Sequence, residues 1–294
     1  MNPKAAFESL KSRLHSFRVD RLSNGAESFS LSLSEEDLLA DLSRTEGNNR
    51  LLGRFSEEDV RVALSDYGVW KALEEKGYAE PQLVIRSTDP FRQTLKIFTE
   101  PDAPEDEDHL LCELRVFDAH LSGPCPLTGK TFEVDALVID WLNFQNPRAA
   151  FTREKPRLPG QVHPGLGILR LSMHAILDLA KQTGKEAVIN IPEYYHNAVL
   201  YHPAFRFFSA YVQGRFLALM KVLMHLSLAE GSHAVSRQKV LYGMDAGPFI
   251  WKPHEQVLGL VPRISEYFTS ELYAQKCREA EAASGFKLTE SGQA

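Results

Sequence analysis

The chain has 294 residues, of which 44% are hydrophobic and 24% charged, with a formal net charge of −6. That composition is globular and excludes a generally disordered chain, and the acidic balance excludes a broadly basic nucleic-acid surface. No run approaches the ~18 apolar residues of a membrane helix, and "MNPKAAFESLKSRLHSF" lacks a long apolar segment with a small-residue cleavage site, so neither a membrane span nor a secretory signal is expected.

Residues 1–50 are polar and read as an N-terminal extension with short helices. "SEEDLLADL" (Ser34–Leu42) and "SEEDVRVAL" (Ser56–Leu64) each place a serine three residues before an aspartate, with acids in the first turn. A serine N-cap and acids near the positive helix end both suit a helix start. From Val60, apolar residues recur at Leu64, Tyr67, Trp70 and Leu73, which is helical spacing, and Gly77 is a natural end cap.

Strands follow. "QLVIRS" and "TLKIF" flank "TDPFRQ" and predict a hairpin. "LLCELRVFDAHL" and "TFEVDALVIDWLNF" are long, β-rich and joined by "SGPCPLTGK". A long proline-rich connection, "NPRAAFTREKPRLPGQVHPGLG", then leads into a helix over Ile168–Gln182. "EAVINIP" is apolar enough for a strand buried on both faces. Tyr194–Phe208 predicts a helix interrupted near Pro203, and "GRFLALMKVLMHLSLAE" a second one. "KVLYGM" and "GPFIW" are late strands, and "RISEYFTSELYAQKCREAEAA" is a C-terminal amphipathic helix. The order predicts a mixed α/β or α+β sheet, not a doubly wound one, because helices do not alternate with the early strands. The divisions are an N-terminal extension (1–50), a core domain (51–260) and a C-terminal helix and tail (261–294).

The three cysteines, Cys112, Cys125 and Cys277, are odd in number and widely spaced, which argues against a disulfide framework or zinc ribbon and for a cytoplasmic protein. There is no Gly-x-Ser-x-Gly and no cysteine in a nucleophile motif, so covalent hydrolysis has no support. His174 and Asp178, four apart on one helix, suit a surface pair. A helix N-terminus leaves amide N–H groups unpaired and carries partial positive charge, and glycines let an anion approach its backbone. "HPGLG" (His163–Gly167) is such a turn, without the lysine–serine end of a P-loop. The residues alone leave three occupants open: an anion, a metal beside the histidines, or nothing.

Antiparallel strands, then "VHPGLG" (Val162–Gly167), a helix, "EAVINIP" and "NAVLYHPAFRFF" together resemble the GNAT acyltransferase superfamily. In that family a Q/R-x-x-G-x-G/A loop binds the pyrophosphate of coenzyme A, and a splayed strand and a further helix follow. The resemblance covers about Gln82–Phe208 and implies a GNAT-like core with acyl-CoA as cosubstrate and a small-molecule or peptide amine as acceptor. It places the loop Gln161, Val162, His163, Gly165, Leu166, Gly167 and Ile168 at the pyrophosphate, and Asn190 and Ile191 beside the pantetheine. It offers Tyr201 as the acid that protonates the leaving thiolate, with Glu193 and Asp140 as candidate bases. Val162 replaces the loop's leading Gln or Arg, Tyr194 its asparagine, and Phe205 and Arg206 its Gly-Phe. Those departures favour a second reading, a GNAT-like module that has lost catalysis and binds a ligand or protein. A third is a metal-dependent hydrolase using His163, His196 and His202; a metal needs three or four converging ligands, and no metal is expected.

Overall fold

The computed structural model describes residues 50–89, 92–243 and 247–289. The helix expected over Ser34–Leu42 lies outside them. Among the described residues there are eight helices and ten strands, arranged as a mixed α/β fold around a mostly antiparallel open sheet. No helix among them is long and apolar enough to cross a membrane.

The first helical stretch is two helices, α1 (Glu57–Asp66) and α2 (Val69–Glu74). The Ser56 hydroxyl accepts from the Asp59 amide while the Asp59 carboxylate accepts from the Ser56 amide, the reciprocal cap that the sequence pattern predicts. Gly68, at φ 72°, breaks the run that apolar spacing alone makes continuous. The hairpin is β1 (Gln82–Asp89) and β2 (Arg92–Phe98). Two long strands, β3 (Leu110–Pro124) and β4 (Thr131–Phe144), pair along almost their whole length.

Helix α3 (Leu169–Gln182) crosses over to β5 (Ala187–Asn190), buried at every position. Then come α4 (Tyr195–Tyr201), β6 (Arg206–Phe207), α5 (Ala210–Leu223) and α6 (Leu228–Ser236). The expected Tyr194–Phe208 helix therefore stops before Pro203, which cannot continue a hydrogen-bonded helix. The expected Gly214–Glu230 helix ends at Leu223, and Ser227 caps a new one through the Glu230 amide. Strands β7 (Val240–Tyr242), β8 (Gly247–Pro248) and β9 (Gln256–Gly259) precede α7 (Pro262–Thr269), α8 (Glu271–Ala283) and β10 (Phe286–Leu288). Ser270, extended at φ −63° and ψ 144°, divides the expected C-terminal helix and caps α8 through the Tyr273 amide.

The main sheet has the order β1-β2-β3-β4-β5-β9-β6, and β10-β7-β8 form a small second sheet. Within the main sheet β4 and β5 run parallel and every other pair is antiparallel. A parallel pair needs a crossover, and the loop Gln145–Ile168 with α3 supplies it. One apolar cluster joins α1, α2, α3 and one sheet face, including Val60, Leu73, Ile97, Val188 and Ile176. A second covers the other face with Val138, Ile189, Phe208, Val257 and Ile264.

Candidate functional site

Two features of β4 define the site. First, the β3–β4 ladder steps over Asp140: Val116 pairs with Ile139 and Arg115 with Trp141. A β-bulge of this kind bends the strand and re-aims its groups. Second, the β4–β5 ladder runs from Ala136/Ala187 to Ile139/Asn190 and ends there, while β4 continues to Phe144. Beyond Ile139 no strand pairs with this edge of β4, because β5 ends at Asn190. The opening is closed at its far end by the glycine loop: the Leu166 amide donates to the Phe144 carbonyl at 3.3 Å, and the Asn146 amide to the Pro164 carbonyl at 2.7 Å.

The glycine loop alternates. Pro164, Leu166 and Ile168 are buried, whereas Val162, Gly165 and Gly167 are exposed. The same short pairing with β4 sets this pattern, and it turns both glycines outward. Gly167 sits at φ 78°, the left-handed region that glycine enters without cost. Ile168 is the N-cap of α3 and provides no side-chain cap, and the first turn holds no acid. Arg170, in that turn, is exposed. The contrast with α1 and α6 is direct, since each of those begins with a serine–carboxylate cap. The N-terminus of α3 is therefore a backbone-donor end with a cation beside it and no internal anion.

The other loop residues are engaged within the protein. The Gln161 carbonyl of the side chain accepts from the Leu158 amide at 3.0 Å, so that side chain fixes the loop's own turn. His163 Nε2 lies 3.1 Å from the Asp108 carboxylate. Of the seven loop residues proposed for the pyrophosphate, Leu166 has its amide committed to Phe144, and Gly165, Gly167 and Ile168 lie where the loop meets the helix.

Tyr201 closes α4 and packs on the cluster shared with α3, its ring 5.6 Å from that of Phe205. Burial, with a smaller contribution from the Cys112 thiol, holds its phenol well above the ordinary value. Cys112 pairs with Phe144 across β3–β4, and Phe144 accepts the loop amide. Tyr201 and the glycine loop thus reach the same end of β4. Burial also raises the Cys112 thiol, which makes it a packing residue and not a nucleophile.

Asn190 ends β5, is 3% exposed, and among the described residues neither of its side-chain polar atoms has a hydrogen-bond partner. Its ladder partner Gln256 donates to the Ala198 carbonyl of α4 at 3.2 Å, and its side-chain oxygen has no partner among the described residues. A buried amide with no partner is costly, so this pair marks a place where a polar group or water fits. Ile191 follows, half-buried, and Glu193 is exposed beyond Pro192. Asp140 at the bulge, Asn190 and Ile191 border the opening; Glu193 stands outside it, beside Tyr194, whose phenol is raised by burial and then by that carboxylate.

The three histidines of the hydrolase reading are held by different neighbours. His196 stacks on Tyr194 at 5.4 Å and His202 meets the edge of Phe216 at 5.3 Å. Burial lowers both, His196 to about 4 with His233 adding to the effect. Among the described residues no group of three or more His, Cys, Asp or Glu side chains stands close enough to share a metal ion.

Two small voids flank the sheet, the first reaching Leu142 and Phe144 of β4. One of about 30 Å³ between α1, α3 and the sheet is lined by apolar residues and Ser172. One of about 20 Å³ on the opposite face is lined by Ile189, Phe208 and Glu255 among others. Sequence reading passed over Glu255 and Gln256. The available signal was "EQVLG", a short apolar strand opening on two polar residues. No family model matches the chain, and no curated protein sequence matches it.

Proposed function

We propose that the protein moves an acyl group from acyl-CoA, or a related thioester, to an amine. The observation that carries this reading is the end of the β4–β5 ladder beside a bulge while β4 runs on, with the glycine loop paired to the unladdered part of β4 and leading into the uncapped end of α3. A pyrophosphate suits exposed backbone donors at Gly165, Gly167 and the first turn of α3, helped by Arg170. An extended pantetheine arm suits a gap between strands whose main-chain groups lack a neighbouring strand. The GNAT-like arrangement of antiparallel strands, loop, helix, parallel strand and helix supports the same reading.

In this reading the half-buried Tyr201 keeps its proton at neutral pH and donates to the departing thiolate. Asp140, at the bulge, and Glu193, outside the opening, are the bases for the acceptor amine, with Asp140 the better placed. Gln161 and Leu166 contribute shape: their polar groups hold the loop to itself and to β4. That same engagement favours the second reading, a GNAT-like binding module without turnover, in which the opening holds a ligand or a peptide strand.

Calorimetric titration with coenzyme A and acetyl-CoA tests the proposal, using the wild type and a Gly165→Glu, Gly167→Glu variant. Micromolar binding that the variant loses while staying folded is the expected result. No binding of either ligand by the folded wild type removes acyl-CoA chemistry and leaves the binding-module reading. Binding with no turnover against a panel of amines also selects the module.

A further inference from the structure

The small sheet and α5 frame a cation with aromatic rings. Arg215 and Tyr211 lie four apart on α5, so their side chains share a helix face. The Arg215 guanidinium carbon stands 4.4 Å from the ring centre of Tyr242 on β7, 5.5 Å from that of Tyr211 and 5.9 Å from that of Phe249, which follows β8. The frame is itself packed. Phe286 of β10 is buried, and its ring centre lies 4.7 Å from that of Tyr242 and 5.0 Å from that of Phe249. A cation over ring faces is attracted by their negative quadrupoles, so the rings fix the position of the charge.

No anion of the described chain meets that charge. Among the described residues Arg215 forms no ion pair, and its Nε, which is buried, has no hydrogen-bond partner. Other arginines are engaged differently: Arg206 donates to the His202 carbonyl, Arg157 to the Gln161 carbonyl, and Arg263 pairs with Glu186. The neighbours of Arg215 sense cations alone. Burial raises the Tyr242 phenol, and Arg215 opposes that with no carboxylate acting beside it. Burial lowers His254 to about 4, with Arg215 and then Lys252 adding to the effect. His254 is therefore neutral at pH 7, and Lys252 is exposed.

We propose that Arg215 receives the carboxylate of a small organic acid whose apolar body lies against the rings of Tyr211 and Phe249. None of these residues belongs to β4, β5, the glycine loop or α3, and the assignment does not rest on the acyl-transfer reading. A guanidinium held against rings has its faces occupied and keeps its in-plane N–H donors, a flat fork that matches the two oxygens of a carboxylate. Arg215 is half-buried and its Nε is covered, so the terminal nitrogens are the donors that a ligand meets. A phosphate dianion calls for more charge than one fixed guanidinium and the solvated Lys252 supply, and gains nothing from the rings. A carboxylate on an aromatic or aliphatic body uses both, and Tyr211, 42% exposed, offers its ring to that body.

The test is ¹H–¹⁵N NMR of the full chain, following the Arg215 Nε–H signal, which burial shields from exchange with water. Its loss in Arg215→Lys assigns it. The probes are benzoate, benzamide, acetate and inorganic phosphate. Benzoate should shift the signal saturably, and benzamide should not. By calorimetry, Arg215→Lys should weaken benzoate roughly tenfold or more, because the ammonium keeps the charge and loses the fork. Tyr211→Ala should weaken benzoate about threefold or more and leave acetate unchanged. No saturable shift with benzoate in the wild type overturns the site, whatever the variants do. An equal response to benzamide overturns charge recognition, and an equal response to phosphate overturns the carboxylate assignment. Asp245, three residues after Tyr242 in the chain, is the internal control. A benzoate shift that appears only in Asp245→Asn means that the chain supplies its own carboxylate, and the ligand site falls.

Discussion

Tyr194 lies against Gly160 so closely that a β-carbon on the glycine would stand 2.7 Å from the tyrosine Cζ. The contact presses the long β4–α3 connection onto the end of β5. Tyr194 also stacks on His196, and His233 of α6 reaches the Arg157 carbonyl at 2.9 Å. The wall of the opening is thereby fixed from both sides.

Gly160→Ala should cost about 1–3 kcal/mol, combining ring displacement with the strain of a side chain at φ 78°. Urea unfolding measures it. Tyr194→Ala in the same background should recover the steric part and leave the backbone part. Full recovery would show that the left-handed conformation is not enforced.

Gly214→Ala is a harsher change. A β-carbon there would lie 2.3 Å from the Cys277 carbonyl oxygen and 2.8 Å from the Ala280 Cβ, so α5 and α8 must separate. A loss of about 3 kcal/mol is expected, at the upper end for overpacking. A wild-type melting temperature in this variant would mean that the two helices pack less closely.

Stability should fall as pH drops from about 6.5 towards 4. His196 and His254 are held at about 4 in the fold, chiefly by burial. The unfolded chain binds protons over that window and the folded chain does not; above it neither state does, and the effect vanishes. Each histidine contributes a slope of at most about 1.4 kcal/mol per pH unit. Urea midpoints at pH 7 and 5, compared with those of His196→Gln and His254→Gln, isolate the contribution. An unchanged difference in both variants would assign the acid sensitivity to carboxylates.

Tyr201→Phe keeps the ring against Phe205 and removes the hydroxyl. Under the proposed function, coenzyme A should bind as before while turnover falls by about 10²-fold or more, the usual range for a positioned acid. A parallel loss of binding would make the hydroxyl part of the ligand site.

The elements that sequence reading located are those whose signals are local. The Ser56–Asp59 cap, the hairpin around Asp89, the long β3–β4 pair and the start of α3 all follow from neighbouring residues. Strands β6, β9 and β10 have only two to four residues, too short for a period to show; distant pairing defines them. The breaks at Gly68, Met224 and Ser270 interrupt apolar runs that read as continuous because packing, and not periodicity, ends each helix. In the candidate site, the glycine loop was legible as a turn at a helix start, whereas Tyr201 was singled out only through the family resemblance. The bulge at Asp140 was not, because it exists only in the register with β3. Nor was the apolar wall beside Glu255, whose side chains come from four strands, the bend at Phe208 and one helix.

The bulge and the Phe144–Leu166 contact together set a length. Between Asp140 and Phe144 the strand rises about 3.3 Å per residue, so the recess spans roughly 13 Å before the glycine loop blocks it. Under the proposed function, an extended ligand arm lying there would be a temporary rung of the sheet, held by main-chain bonds that do not read side chains. The recess then acts as a ruler: it measures how far a linear ligand can enter, and selectivity falls to whatever waits at its two ends.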